Sequence, residues 1–449
     1  MAAPCTKGVL GYVLCIFIVF SMKVRNINSQ PPSTLRQVNL LYRHGDRSPA
    51  GGTFPTDPYQ EDSWPQGWGQ LSKLGMQEQC ELGQFLRKRY NGFLNSSYIR
   101  TEITVRSTDV DRTLMSAQCN LACLYPPGKE QQWNKSIIWQ PIPVHTRPVD
   151  EDPLLRTDEP CPKYNKVFNE LMQSKLVKDE EVQNKAFYQF ISNKTGYPHE
   201  NISIFWDVQD PLFCEWVHNK TLPSWVNSTW QPTGQNVWDM IRNTTNFSWQ
   251  LLFRTKEMRR LRGGLLVGEM INNMKNKIKL GPNNKSEPKM HMYSAHDTTV
   301  AAMLNALDVF NGVQPPYASM VALELHEKDN SHWVEVLYRN LSRDPGAVND
   351  FTLIHHLTIP NCSIQCPFDK FISLTKDVIP VNSQAWAEEC EMPSSTTSGL
   401  SMPMIIVISI VGAAILLLVI GLSALCLSRS CKGKRQMRYQ EWSTTGITS

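Results

Sequence analysis

The sequence predicts an α/β fold: a sheet flanked by helices, a smaller and mostly helical cap, and one apolar helix near the C-terminus. Three observations carry this. Short apolar runs alternate with amphipathic stretches of helix length through most of the chain. A region rich in Trp and Asn, roughly residues 133–253, interrupts that alternation. The run Met404–Leu427 contains no charged residue.

In chain order, KGVLGYVLCIFIVFS sets one lysine before an apolar stretch too short to span a bilayer comfortably, so residues 1–30 read as a secretory signal peptide. RQVNLLY reads as a strand. LSKLGMQEQCELGQFLRKRY reads as an amphipathic helix with Leu71, Leu74, Leu82 and Phe85 available for one face. EITVRS is a short strand. In TDVDRTLMSAQCNLACLY, Val110, Leu114, Ala117 and Leu121 keep helical spacing, and Thr108 with Asp111 fits an N-terminal capping pattern. PKMHMYSAHDTTVAAMLNAL repeats the arrangement, a strand to about Ser294, a loop, then a helix through Val300 and Leu304. Residues 391–403, small, polar and broken by proline, read as a stalk. Residues 404–427 cross a hydrocarbon core of about 30 Å easily. Arg429, Lys432, Lys434, Arg435 and Arg438 follow, so residues 428–449 are expected in the cytoplasm. The expectation is a type I membrane protein with residues 31–390 outside the cytosol.

Composition agrees with a secreted, globular chain. A hydrophobic fraction of 41% and a charged fraction of 19% suit a packed core, and a net charge of +4 over 449 residues gives no reason to expect a nucleic-acid partner. Asn95, Asn134, Asn193, Asn201, Asn219, Asn227, Asn243, Asn246, Asn284, Asn340 and Asn361 each head an Asn-X-Ser/Thr sequon, which implies a glycosylated surface. Cysteines between the two apolar segments fall in a compartment where disulfides persist. The spacings Cys119/Cys123 and Cys362/Cys366 lack companion His or Cys clusters, so bridges or buried thiols are favoured over metal ligation.

Charge converges at three places. Arg43, His44 and Arg47 lie in LLYRHGDRSP, Arg106 follows EITV, and His296 with Asp297 follows PKMHMYSA. Each group stands at the end of a predicted strand, and open α/β sheets bind ligands beyond the carboxyl ends of their strands. Taken singly, each has a plainer reading: a loop anchor, an Arg106 pair with Asp109 or Asp111, a helix N-cap. Together they describe a site for a multiply charged anion, because unpaired buried cations are costly and guanidinium forks fit phosphate oxygens.

LLYRHGDRSP, VRSTDVDRT and YSAHDTT resemble the motifs of the histidine acid phosphatases, of the lysosomal, prostatic and testicular type in its transmembrane form. WPQGWGQLSKLGMQEQCELGQFLRKRYNGFL is similar to the segment joining the first two motifs. The resemblance implies a phosphoglycerate-mutase-like sheet with helices on both faces and a smaller helical cap. It also implies an acid phosphatase acting on small phosphomonoesters without cofactor or metal, in a homodimer, at the lysosomal membrane or the plasma membrane. His44 is implied as the nucleophile that becomes phosphohistidine. Arg43, Arg47, Arg106 and His296 are implied to hold the phosphoryl oxygens, and Asp297 to protonate the leaving group. Bridges Cys161–Cys390 and Cys362–Cys366 are implied too. Met320 stands where the family has a cysteine, which leaves Cys214 without its expected partner. The pairing of Cys80, Cys119 and Cys123 stays open, and Asp46 and Ser48 are as readily loop-shaping as functional.

Overall fold

The structure, a computed structural model, describes residues 33–158, 160–198, 200–282, 284–341, 353–392, 406 and 409–425. The expected signal peptide, most of the stalk, both ends of the expected span and the tail lie outside the described residues.

Strand β1 (Leu35–Arg43) leads to α1 (Lys73–Arg89), then β2 (Ile103–Ser107) and α2 (Asp111–Leu124). Five helices follow: α3 (Pro162–Met172), α4 (Lys175–Gln183), α5 (Lys185–Thr195), α6 (Ile204–Val217) and, after the ribbon of β3 (Thr229–Trp230) and β4 (Gln235–Asn236), α7 (Val237–Leu251). The chain returns through α8 (Lys256–Leu280), β5 (Met290–Ala295), α9 (Asp297–Ala306), β6 (Met320–Lys328), β7 (Ser331–Arg339), β8 (His355–Leu357) and β9 (Cys366–Pro367). It closes with α10 (Phe368–Thr375) and α11 (Ser383–Glu389).

The main sheet runs β2-β5-β1-β6-β7-β8, with β9 paired to β7. Strands β2, β5 and β1 are parallel, whereas β6 to β9 pair antiparallel. Side-chain alternation along β1 explains why both faces are covered. Val38, Leu40 and Tyr42 pack with Leu82, Phe85, Ala117 and Leu121 of α1 and α2, while Leu41 packs with Leu266, Val267, Val300 and Leu304 of α8 and α9. A third core, including Phe187, Phe205, Val208 and Ile241, belongs to the helices α4 to α7.

Through Met392 the described chain is one compact unit, so the cap is continuous with the body. Its helices begin at Pro162; residues before it belong partly to the sheet, because His145 lies against β2 and exchanges hydrogen bonds of 2.9 Å with Val105 and Ser107. Among residues 393–449, positions 409–425 are helical, with exposed apolar side chains such as Ile410 and Leu417. No helix among the described residues is long and apolar enough to cross a membrane.

Cys161 bridges Cys390, and Cys362 bridges Cys366. The pairing left open resolves as Cys80–Cys123, which ties α1 to α2, while Cys119 is free and Cys214 is free and buried. None of the eleven sequon asparagines is buried.

Candidate active site

Register places the charged groups. Arg43 pairs with Ala295 across β1 and β5, and Ser107 pairs with Ser294 across β2 and β5, so the three carboxyl ends stand side by side. A cavity of about 650 Å³ opens beyond them, its wall including His44, Arg47, Arg112, Asp210, His296 and Asp297.

The loop after β1 is bent tightly against the start of α1. A Cβ on Gly45 would strike the backbone of Gly75, and one on Gly75 would strike the backbone of Asp46, so both positions need glycine. Ser72 caps α1 by accepting from the Gly75 amide at 3.0 Å, and its hydroxyl also bonds Asp46. Asp46 is fully buried, 2.8 Å from His218 Nε2, and its amide donates to Glu78 at 2.7 Å. Ser48 donates to the Gly67 carbonyl at 2.6 Å. Asp46 and Ser48 therefore shape the loop and do not line the cavity.

His44, 2% exposed, lies within that loop. Its Nδ1 sits 2.8 Å from the Gly45 carbonyl oxygen, which can only accept, so Nδ1 carries the proton and Nε2 keeps its lone pair. Burial, then the positive charges of Arg112, Arg43 and Arg47, hold its pKa well below the ordinary imidazole value. Both causes favour the neutral imidazole. His296 occupies the N-cap position of α9, with Nε2 3.0 Å from the Thr108 hydroxyl. Desolvation and Arg112 push its pKa down to about 3.

The arginines differ. Arg47 forms a fork on Asp210 of α6, at 3.0 and 2.9 Å. Arg43 pairs with Asp297 at 2.7 Å, donates to the Pro315 carbonyl at 2.7 Å and lies 4.1 Å from the centre of the Tyr317 ring. It does not line the cavity itself and adjoins it through Asp297. Desolvation alone would raise the pKa of Asp297, but Arg43 and Arg47, with a 2.9 Å hydrogen bond from Gln314, hold it below the ordinary carboxylate value.

Arg106 is not brought into the cavity. It forms an ion pair with the buried Asp152, neither of the partners suggested by sequence proximity. Arg112 takes the place expected of it. The expected capping by Thr108 would start the helix too early; α2 instead begins at Asp111 with Val110 at the N-cap, which turns Arg112 toward His44. Arg112 makes no ion pair with a described residue and its Nε has no hydrogen-bond partner. Burial and the like charge of Arg47 bring its pKa down to about 10. Tyr317, Asp210 and Gln314 also escape a sequence reading, since each reaches the site by tertiary packing.

The sequence profile of the histidine phosphatase superfamily (branch 2) matches residues 34–339. The chain is 46% identical to the prostatic acid phosphatase of Bos taurus over 362 residues, covering 79% of this chain and 87% of that one. It is 41% identical to the lysosomal acid phosphatase of Rattus norvegicus over 412 residues, covering 91% and 89%. Among solved structures, a phytase of Klebsiella sp ASR1 superposes with a TM-score of 0.57 at 16% identity, covering 80% of this chain and 98% of that one. The phytase of Hafnia alvei in complex with myo-inositol hexakis sulphate gives 0.56 at 16% identity, covering 80% and 99%. At those identities the likeness to the phytases concerns the fold alone: a mixed sheet flanked by helices, with a helical cap.

Proposed function

The chain belongs to the histidine phosphatase superfamily, branch 2, and on that premise we propose that this acid phosphatase hydrolyses phosphate monoesters through a phosphohistidine on His44. The observation that carries the reading is the free Nε2 of His44, facing Arg47, Arg112, His296 and Asp297 in one cavity. An Nε2–P bond forms as the bond from phosphorus to the leaving oxygen breaks, and Asp297 gives that oxygen its proton. Water then attacks phosphorus, Asp297 takes the water's proton, and the N–P bond breaks to release phosphate.

Arg112 is the arginine with room for a new anion, so it holds a phosphoryl oxygen in place of Arg106. Arg47 and His296 complete the cradle where charge is stabilised in the transition state, and Arg43, beside Asp297, adds its positive charge to it. A phosphate dianion competes with Asp297 for the charge of Arg43 and Arg47 and sets negative charge beside it, so the Asp297 pKa rises on binding. That brings the acid to protonation in a mildly acidic medium, in which His44 stays neutral. Luminal exposure, one membrane anchor, a lysosomal location and a homodimer are parts of the same reading. They rest on the sequence features above and on relatives named lysosomal acid phosphatase.

Hydrolysis of an aryl phosphate against pH, beside His44→Ala and Asp297→Asn, tests the chemistry. His44→Ala is expected to abolish turnover, and activity that survives it removes the nucleophile. Asp297→Asn is expected to slow alkyl phosphates far more than nitrophenyl phosphate; equal slowing removes the acid.

A further inference from the structure

A second cluster of ionisable groups lies toward the other end of β1, roughly 20 Å from the cavity by strand rise. Glu324 and His326 of β6 and Glu335 of β7 are 1%, 1% and 6% exposed, and Glu324 pairs directly across from Glu335. One ligand atom from each lies within 4.8 Å of the other two. Facing carboxylates inside a protein repel, and something must offset them.

Glu324 is answered by the Arg89 fork, at 2.9 Å to each oxygen, and by the Tyr90 hydroxyl at 2.8 Å. Glu335 accepts from Trp333 Nε1 at 3.3 Å and Gln365 Nε2 at 3.2 Å, both neutral donors, and meets His356 Nδ1 at 3.2 Å. One guanidinium faces two carboxylates, and the rest of the balance falls to a proton on His326 or His356 or to a bound cation. His326 is held as a metal-ligating imidazole is held. Its ring stacks on Trp333 at 5.3 Å and 9°, and its Nδ1 lies 3.1 Å from the Thr34 hydroxyl. Its Nε2 is buried and has no hydrogen-bond partner, standing 3.4 Å from a Glu324 oxygen.

We propose that Glu324, His326 and Glu335 form an interior binding site for a divalent first-row cation, with zinc the best match to one imidazole and two carboxylates. The donor set, nitrogen with oxygen, fits zinc better than calcium or magnesium, which take oxygen alone. His356 completes the surroundings from β8. The ion would clamp β6 to β7 where the sheet is antiparallel, apart from the phosphate chemistry.

The test uses the purified full chain, stripped with a chelator and dialysed against zinc, with bound metal counted by inductively coupled plasma mass spectrometry. One equivalent per chain and a higher unfolding temperature with zinc are expected. His326→Gln should weaken uptake at least about tenfold and lose the thermal shift, at unchanged kcat. Glu335→Gln, which keeps the side-chain shape, should do the same should the first variant fold poorly. His44→Ala should keep the full equivalent, which excludes the catalytic cavity as the zinc site. No stoichiometric zinc in the unsubstituted chain, or full uptake by both ligand variants, overturns the proposal.

Discussion

Arg106 and Arg112 both sit in VRSTDVDRT, yet only Arg112 faces His44. Arg106 ends a strand and serves a carboxylate beside it, whereas Arg112 begins a helix and points over the strand ends. The two are separable by experiment. Arg112→Ala should lower kcat/KM by roughly 10²–10³-fold with little change in melting temperature, as for loss of one donor to a transition-state oxyanion. Arg106→Ala should act through stability, at about 3 kcal/mol, because it strands the buried Asp152. Kinetics and denaturation on both variants check this, and a kinetic loss confined to Arg106→Ala would reverse the assignment. The residue types of the site were legible in the sequence, since paired arginines, two histidines and an aspartate advertise phosphate. Which arginine serves was not, because a place at the strand end singled out Arg106, whereas the first turn of α2 carries Arg112 to the cavity.

At the scale of elements, α6 does most to finish what β1, β2 and β5 begin. Its Asp210 reaches Arg47, its Cys214 lies buried 3.8 Å from the same guanidinium, and its Glu215 meets Asp57 in the β1–α1 connection. The sequence showed a helical, tryptophan-rich region there but nothing of its docking, because contacts across more than a hundred residues leave no periodic trace. Glu215 carries a pH signature. Burial, then the Asp57 carboxyl, raise its pKa from 4.5 to about 9. Between those values the folded chain keeps a proton that the unfolded chain has released, so stability falls as pH rises and the contribution is complete only below the window. Glu215→Gln should flatten the decline in unfolding free energy between pH 5 and pH 8; denaturant titrations at both values measure it. An unaltered slope would mean that Glu215 ionises normally.

For the whole molecule, the two sheet faces follow from alternation along β1, and the α/β class was readable for that reason. Continuity of cap and body was not, since a composition shift marks a change of surface rather than a domain boundary. The Cys161–Cys390 bridge spans 229 residues and fastens the start of α3 to the end of α11, while Cys362–Cys366 spans 4. Loop-closure entropy assigns about 5 kcal/mol to the first and about 2 kcal/mol to the second. Replacing both cysteines of each pair by serine should therefore shift the denaturation midpoint more for the long bridge; equal shifts would show that chain entropy does not govern here.

The fork between Arg47 and Asp210 joins body to cap across the cavity, and it makes Asp210 a competitor tethered to the enzyme. Dilution cannot lower the local concentration of an anion that belongs to the chain. Phosphate leaving Arg47 is followed at once by the carboxylate that it displaced, so each turnover ends with a built-in push toward release. Asp210→Asn should tighten inhibition by inorganic phosphate, read as a lower Ki, while making release slower. An unchanged Ki would leave Asp210 as a hinge pin only. The same carboxylate that makes substrate harder to hold makes product easier to lose.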